Sequence, residues 1–377
     1  MKERPLAYRD ERERIRRALG ACSRRWPHAR LESHELDGSS DLTIDALWAE
    51  AQQRESLVLM TGGLHGIEGH LGAAMIALFV EEVAPRLDPR TTGLSLIYPV
   101  NPWGMQHGRR VNANGVDLNR NFIWDAAGTT SPDEVHDPNA NPDYTRLAFL
   151  NPRHRVNTVS AGTLEMGLGL IRALMGHGAT AVSRATLLGQ YADPRGVYFG
   201  GHDGQAEKTW VAAFFERALR EYKHVVILDL HSGYGPRWQM SLVTSALDRE
   251  PAAETAKRIG YPRVVKATGE EFYAISGDMI DFVYRMRDAR FADRKLFAGA
   301  MEFGTFGDSF PALLRSLRIT ILENQAFWHG ASPRVRRWID QEWLELYFPR
   351  EPRWWDKARA DARLAFEGVL RAEGMLE

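Results

Sequence analysis

The sequence predicts an α/β fold, with three layers (α/β/α) around a central, mostly parallel mixed sheet. Two observations carry this expectation. Short apolar runs at 57–61, 94–98 and 225–230 lack polar alternation, as expected of strands buried on both faces. Between them lie stretches with apolar residues at helical spacing. Strands that alternate with helices form a parallel sheet covered on both sides. The 377 residues suit one large α/β domain or two small ones, and a single domain is expected.

Taken in order, residues 8–26 place Ile15, Ala18, Leu19 and Cys22 at helical spacing, the pattern of an amphipathic surface helix. Leu57-Val-Leu-Met-Thr61 is a buried strand that ends at Gly62-Gly63. Residues 70–84 follow as a helix, with Leu71, Ala74, Met75, Leu78 and Phe79 on one face. The strand at 94–98 stops at Pro99. Residues 125–157 are rich in Pro, Asn and Asp and show little periodicity, so an ordered loop or small inserted subdomain is expected. Residues 206–222 carry Val211, Phe214, Phe215, Ala218 and Leu219 on one helical stripe ahead of the strand at 225–230. A further strand is expected at 297–303. Helices are expected at 311–328, 333–347 and 352–371, the last with Trp354-Trp355 as a packing anchor.

Composition narrows the function. Hydrophobic residues at 44% and charged residues at 26% exclude a disordered, collagenous or coiled-coil chain. The 48 basic and 49 acidic residues give a net charge of −1, which argues against a dedicated nucleic-acid binder. The single cysteine, Cys22, excludes a disulfide framework and a thiolate metal cluster. Any metal must be held by carboxylates and some of the 12 histidines. The longest apolar run, 71–80, is about half of a membrane span. Met-Lys-Glu-Arg-Pro at the start has no apolar signal core, so a cytoplasmic location without membrane contact is expected.

Four constellations carry chemistry. Gly62-Gly-Leu-His65-Gly-Ile-Glu68-Gly places a histidine and a carboxylate three apart where a strand turns into a helix. Ligands bind outside the carboxyl ends of strands in such sheets. On spacing alone, a loop histidine and a dipole-stabilised glutamate at the helix start are the favoured reading. Asp229-Leu-His231-Ser-Gly ends the most strand-like run, so His231 faces the same crevice or is a satisfied buried histidine. His65, Glu68 and His231 together are the three-ligand set of a catalytic zinc site. The loop from Gly108 to Phe122 contains Arg109, Arg110, Asp117, Asn119 and Arg120, a composition suited to gripping a carboxylate. Glu302 ends the strand at 297–303 and is preferred as a general base over Glu323, for which a surface or capping role is expected. There is no Gly-x-Ser-x-Gly elbow and no Walker-type phosphate loop, and Gly167-Leu-Gly169 lacks the third glycine of a dinucleotide site.

The ordered set His65-Gly-Ile-Glu68, Gly115-Val-Asp-Leu-Asn-Arg-Asn-Phe122, Asp229-Leu-His231 and Glu302 resembles the zinc carboxypeptidase superfamily over about 55–330. It is similar to the aspartoacylase and succinylglutamate desuccinylase side, and to an uncharacterised branch of that superfamily. The resemblance implies one zinc ion held by His65, Glu68 and His231. It gives Arg110 the role of oxyanion partner, in preference to the adjacent Arg109. Asn119 and Arg120 would hold the substrate carboxylate, and Asp117 would orient the first zinc histidine. Glu302 would be the general base and acid. Tyr191, Tyr198, Tyr234 and Tyr273 are candidates for a tyrosine that caps the substrate.

The function expected is zinc-dependent hydrolysis of an amide in a small carboxylate-bearing substrate such as an N-acyl amino acid. The alternatives are a metallocarboxypeptidase acting on short peptides and an inactive metal- or ligand-binding module on the same fold.

Overall fold

The computed structural model describes residues 7–36, 39–124, 136–268 and 276–377. Residues 125–135 of the inserted segment, and Tyr273, lie outside the described residues. The chain opens with α1 (Tyr8–Cys22), β1 (Arg30–Leu36) and β2 (Ser39–Ala49). β3 (Ser56–Gly62) turns into α2 (Gly69–Leu78), and β4 (Thr92–Tyr98) precedes two short helices, α3 (Pro102–Gln106) and α4 (Pro142–Thr145). α5 (Val159–Leu187) is a long helical segment broken at Gly178. There follow α6 (Ala206–Glu221), β5 (His224–Gly233), β6 (Met240–Thr244), α7 (Ala252–Ile259), β7 (Val264–Lys266), α8 (Met279–Arg290) and β8 (Lys295–Gly304). α9 (Phe310–His329), α10 (Pro333–Tyr347) and α11 (Pro352–Ala372) complete the described chain.

The strands form one eight-stranded sheet in the order β1-β2-β4-β3-β5-β8-β6-β7. The pairings of β3 with β4, β3 with β5, β5 with β8 and β6 with β7 are parallel. Those of β1 with β2, β2 with β4 and β6 with β8 are antiparallel. The sheet is therefore mostly parallel and mixed. Successive side chains of a strand face opposite ways, and the two central strands show the result. Leu57, Leu59, Val225 and Ile227 pack on one side with Phe215 and Leu219 of α6 and Phe282 of α8. Val58, Met60, Val226 and Leu228 pack on the other with Leu19 of α1, Leu71 and Met75 of α2 and Phe366 of α11. Each such side chain contributes about 1.5–3 kcal/mol on burial, which is why these strands read as unbroken apolar runs.

The sequence pattern did not reveal β1, β2, β6 or β7, nor the helices α3, α4, α5, α7 and α8. β1 lies at the sheet edge and its Arg-Leu-Glu-Ser-His-Glu-Leu sequence is largely exposed. β7 is only three residues long. α5 carries glycines at 162, 167, 169, 176 and 178, which weaken a helical signal. Trp354 and Trp355 are a packing anchor: their indole N–H groups donate to the carbonyls of Gly304 (2.8 Å) and Pro349 (2.7 Å) in a buried cluster. No helix is long and apolar enough to cross a membrane among the described residues.

At the opposite edge from the β3, β5 and β8 carboxyl ends, Glu373 ties the starts of β5 and β8 together. It accepts from His224 (2.9 Å) and Lys295 (2.8 Å) and pairs with Arg258 of α7. Burial opposes its ionisation, but hydrogen bonds from His224, Lys295 and Arg258 outweigh burial and lower its pKa from 4.5 to about 2. A depressed carboxyl pKa stabilises the fold above the unfolded value, and that stability is lost as pH falls through the folded value. Glu373→Gln should therefore lower the urea midpoint above about pH 4.5, with the gap to wild type closing towards about pH 2. A gap that stays constant across this window would exclude the pairing as its source.

Candidate metal centre

β3, β5 and β8 are parallel neighbours and release the chain at one edge, where ligands bind in open α/β sheets. His231 on β5 lies opposite Glu302 on β8 in the register. His65 follows the end of β3 by three residues. The turn that carries it depends on two glycines. Gly63 has φ +73°, and a Cβ on Gly66 would stand 2.2 Å from the Gly104 carbonyl carbon. That close approach lets the N–H groups of Gly66 and Ile67 donate to the carbonyls of Arg110 (3.2 Å) and Arg109 (2.9 Å). The turn holding His65 and Glu68 is thus fastened to the segment holding Arg110.

His65, Glu68 and His231 converge, all buried, with one ligand atom from each within 4.8 Å of the others. Among the described residues this is the one such group. Nδ1 of His65 lies 2.8 Å from Glu68 Oε1, and Nδ1 of His231 lies 3.0 Å from Oε2. The far ring nitrogens also meet carboxylates. Nε2 of His65 is 3.0 Å from Asp117, and Nε2 of His231 contacts Asp229. Thr61 in turn donates to Asp229 at 2.6 Å. A neutral imidazole donates from only one nitrogen. A cation between the two Nδ1 atoms and Glu68 satisfies every contact with neutral rings that donate Nε2–H to Asp117 and Asp229, the usual support of metal-binding histidines. The donor set therefore fits a divalent ion such as zinc. Three protein ligands leave a fourth position for water or substrate.

The charges are balanced closely. Burial opposes ionisation of Glu68, but His65 and His231 outweigh it and hold the carboxyl below the usual range. Burial likewise opposes Asp117, which the guanidinium groups of Arg110 (3.0 Å) and Arg120 (2.6 Å) hold well below its ordinary value. His231 is pushed well above its ordinary value by Asp229 and Glu68 in spite of burial. Glu302 goes the other way. Burial first, and the charge of Glu68 second, raise its pKa to about 7, against the pull of His231, the Tyr234 N–H (3.0 Å) and Arg110.

A cleft opens over this group, and Arg110, Arg120, Tyr198, Tyr234, Glu302 and Tyr347 line it together with His65 and Glu68. The structure thus brings His65, Glu68, Arg110, Arg120 and Glu302 to one cleft. Two residues expected at the substrate stand elsewhere. Arg109 turns away, pairs with buried Glu323 at 3.0 Å and stacks on Phe327 at 3.8 Å. Glu323 is accordingly an interior counter-ion, against the expected surface or capping role. Asn119 clasps the start of α8, donating to Asp278 (3.1 Å) and accepting from the Met279 N–H (3.0 Å). Among the tyrosines, Tyr191 donates to the Arg120 carbonyl at 2.7 Å, behind the cleft.

Two contributors were not singled out from sequence. Asp229 precedes His231 by two on one strand and so shares its face, a signal that was available. Tyr347, whose hydroxyl lies 3.5 Å from Arg110, arrives from α10 without a motif. Tyr198, one of the four candidate capping tyrosines, lines the cleft. It has φ +60°, unusual outside glycine, and its ring lies 5.1 Å from the Arg120 guanidinium.

His65→Ala and His231→Ala should abolish stoichiometric metal binding, measured by elemental analysis of purified protein. Asp117→Asn and Asp229→Asn should weaken metal affinity about 10–100-fold. Unchanged affinity in both asparagine variants would show that these carboxylates do not support the ligands.

The chain is similar to several solved structures at low sequence identity. Bovine thrombin-activatable fibrinolysis inhibitor, in complex with tick carboxypeptidase inhibitor, is 13% identical with a TM-score of 0.44, over 85% of this chain and 96% of that one. Carboxypeptidase A from Helicoverpa armigera is 14% identical with a TM-score of 0.44, over 95% and 74%. An aspartoacylase family protein from Mesorhizobium loti is 14% identical with a TM-score of 0.37, over 80% and 67%. No curated protein matches the sequence. Residues 6–361 match the family described as "Protein of unknown function (DUF2817)", and the chain belongs to that family.

Proposed function

We propose that this protein is a zinc-dependent amide hydrolase for small carboxylate-bearing substrates such as N-acyl amino acids. The observation that carries the reading is the meeting of Glu302, a buried carboxyl with a pKa raised to about 7, with the His65, Glu68 and His231 donor set in one cleft. A raised carboxyl in reach of a metal site suits proton transfer near neutral pH.

When bound at His65, Glu68 and His231, a zinc ion supplies a Lewis acid that lowers the pKa of water and polarises a carbonyl. Glu302 accepts the proton of the attacking water and later delivers it to the leaving amine. Arg110, held by Asp117 and Glu68, presents a fixed positive charge where the carbonyl oxygen becomes an oxyanion. Arg120 offers a second guanidinium in the cleft for the substrate carboxylate, which fixes the register of the scissile bond. Tyr198 and Tyr347 wall the cleft and limit its width. A cytoplasmic location, a single ion and a substrate with a free carboxylate complete the reading.

Glu302→Gln should retain its metal and lose about 10²–10⁴-fold in kcat. Full turnover in that variant would remove Glu302 from this role. Glu302 must be ionised to act as a base, so kcat/KM should fall on the acid side of about pH 7. A bound cation moves that limb to lower pH, because positive charge favours the carboxylate. The substrate class is tested on a panel of N-acyl amino acids and short peptides, with and without chelator. Faster cleavage of the peptides would replace the small-substrate reading with a carboxypeptidase. Cleavage of neither class, with metal bound, would leave a binding module.

A further inference from the structure

α5 has two apolar faces, and among the described residues the chain covers only one of them. Met166, Leu170 and Ala173 are buried against Leu314, Leu317 and Ile321 of α9. On another face Leu164, Leu168, Ile171, Leu174 and Met175 are 38% to 84% exposed. These are five of the ten exposed large apolar side chains among the described residues. An amphipathic helix of a lone globular protein turns its second face to water with polar residues. This one does not.

The spacing names the kind of cover. Leu164, Leu168, Ile171 and Met175 follow one another by four, three and four residues, the seam of two packed helices. The seam ends before the break at Gly178, so it lies on a continuous helix. Together with neighbouring Leu174, its side chains expose on the order of 500 Å² per copy, a large share of the ~800 Å² per partner that a stable interface buries.

Charge selects the orientation. Glu165 and Arg172 lie on the same flank of the seam, at about 100° per residue. Arg172 makes no ion pair among the described residues, and Glu165 meets only the half-exposed His154, at 3.1 Å. An antiparallel pair centred between Leu168 and Ile171 sets Leu168 of one copy on Ile171 of the other, and Leu164 on Met175. Like flanks then face each other. Glu165 of each copy comes within about 3 Å, along the helix axis, of Arg172 of the other. A parallel pair keeps like flanks on opposite sides of the seam, so these charges never meet. The arrangement is self-complementary, as a two-fold interface must be.

We propose that α5 is a self-association surface: two copies of this chain pair antiparallel through Leu164, Leu168, Ile171 and Met175, with Glu165 and Arg172 crossing between them. Sedimentation equilibrium of the full chain at micromolar concentration should report a dimer. Leu168→Glu buries like charges at the centre and should weaken association by about 100-fold or more, with the circular dichroism spectrum unchanged. Glu165→Arg and Arg172→Glu should each weaken the dimer, and the double exchange should restore it. The restored dimer separates pairing from any loss of folding. A monomer at all concentrations overturns the proposal, and so does a dimer indifferent to Leu168→Glu. Wild-type monomer that co-sediments with phosphatidylcholine–phosphatidylglycerol vesicles, and loses this with Leu168→Glu, would assign the stripe to lipid and overturn it as well.

Discussion

The carboxylate of Glu68 is 1% exposed and is surrounded by His65, His231, the Ser232 N–H (3.1 Å) and the Arg110 guanidinium (3.3 Å). An unpaired carboxylate so deeply buried would cost several kcal/mol. Its partners come from three separate places: the turn after β3, the end of β5, which carries both His231 and Ser232, and the loop that follows α3. Each of those segments is fixed by what Glu68 requires of it. The two central strands must be parallel neighbours to bring His65 and His231 together, and the turn must lie against Gly104 to bring Arg110 within reach. The fold supplies these placements through the apolar packing of β3 and β5 on both faces. Glu68 converts that packing into a charged centre.

Asp117 is the second hub. It meets His65, Arg110 and Arg120 at once, so one carboxylate fixes a metal-ligand candidate and two cleft cations. The neighbouring arginines show how local geometry divides labour. The Arg109 N–H donates to the Gly104 carbonyl at 2.7 Å, and the chain direction there sends the two side chains apart. Arg110 enters the cleft, while Arg109 joins Glu323 in the interior. Asn119, next to Arg120, holds the start of α8 and so steadies the segment from which Arg120 projects.

Much of this was legible in the sequence, for definite reasons. β3, β4, β5 and β8 are apolar on both faces and could be read without context. His65, Glu68, His231 and Glu302 could be placed because residues at the carboxyl ends of such strands share a crevice. Arg109 and Asn119 could not be placed. A polar residue in a loop carries no periodicity, and its direction depends on backbone contacts with Gly104 and α8. β1 and β2 were hidden because an antiparallel edge tolerates charge. α5 was hidden because its glycines mask a helix whose apolar residues are divided between two faces.

The spacing of β3, β5 and β8 along the chain has a kinetic meaning. They are neighbours in the sheet, yet more than 160 residues separate β3 from β5, with α5 and α6 between them. Pairing strands so distant is slow, because a long loop must close before any contact forms. Local elements such as α2 or α11 can form early. The His65–Glu68–His231 cage exists only once the last central strands have zipped together. An ion held by this cage would therefore be captured late on the folding route, and its retention would report that the central sheet is complete.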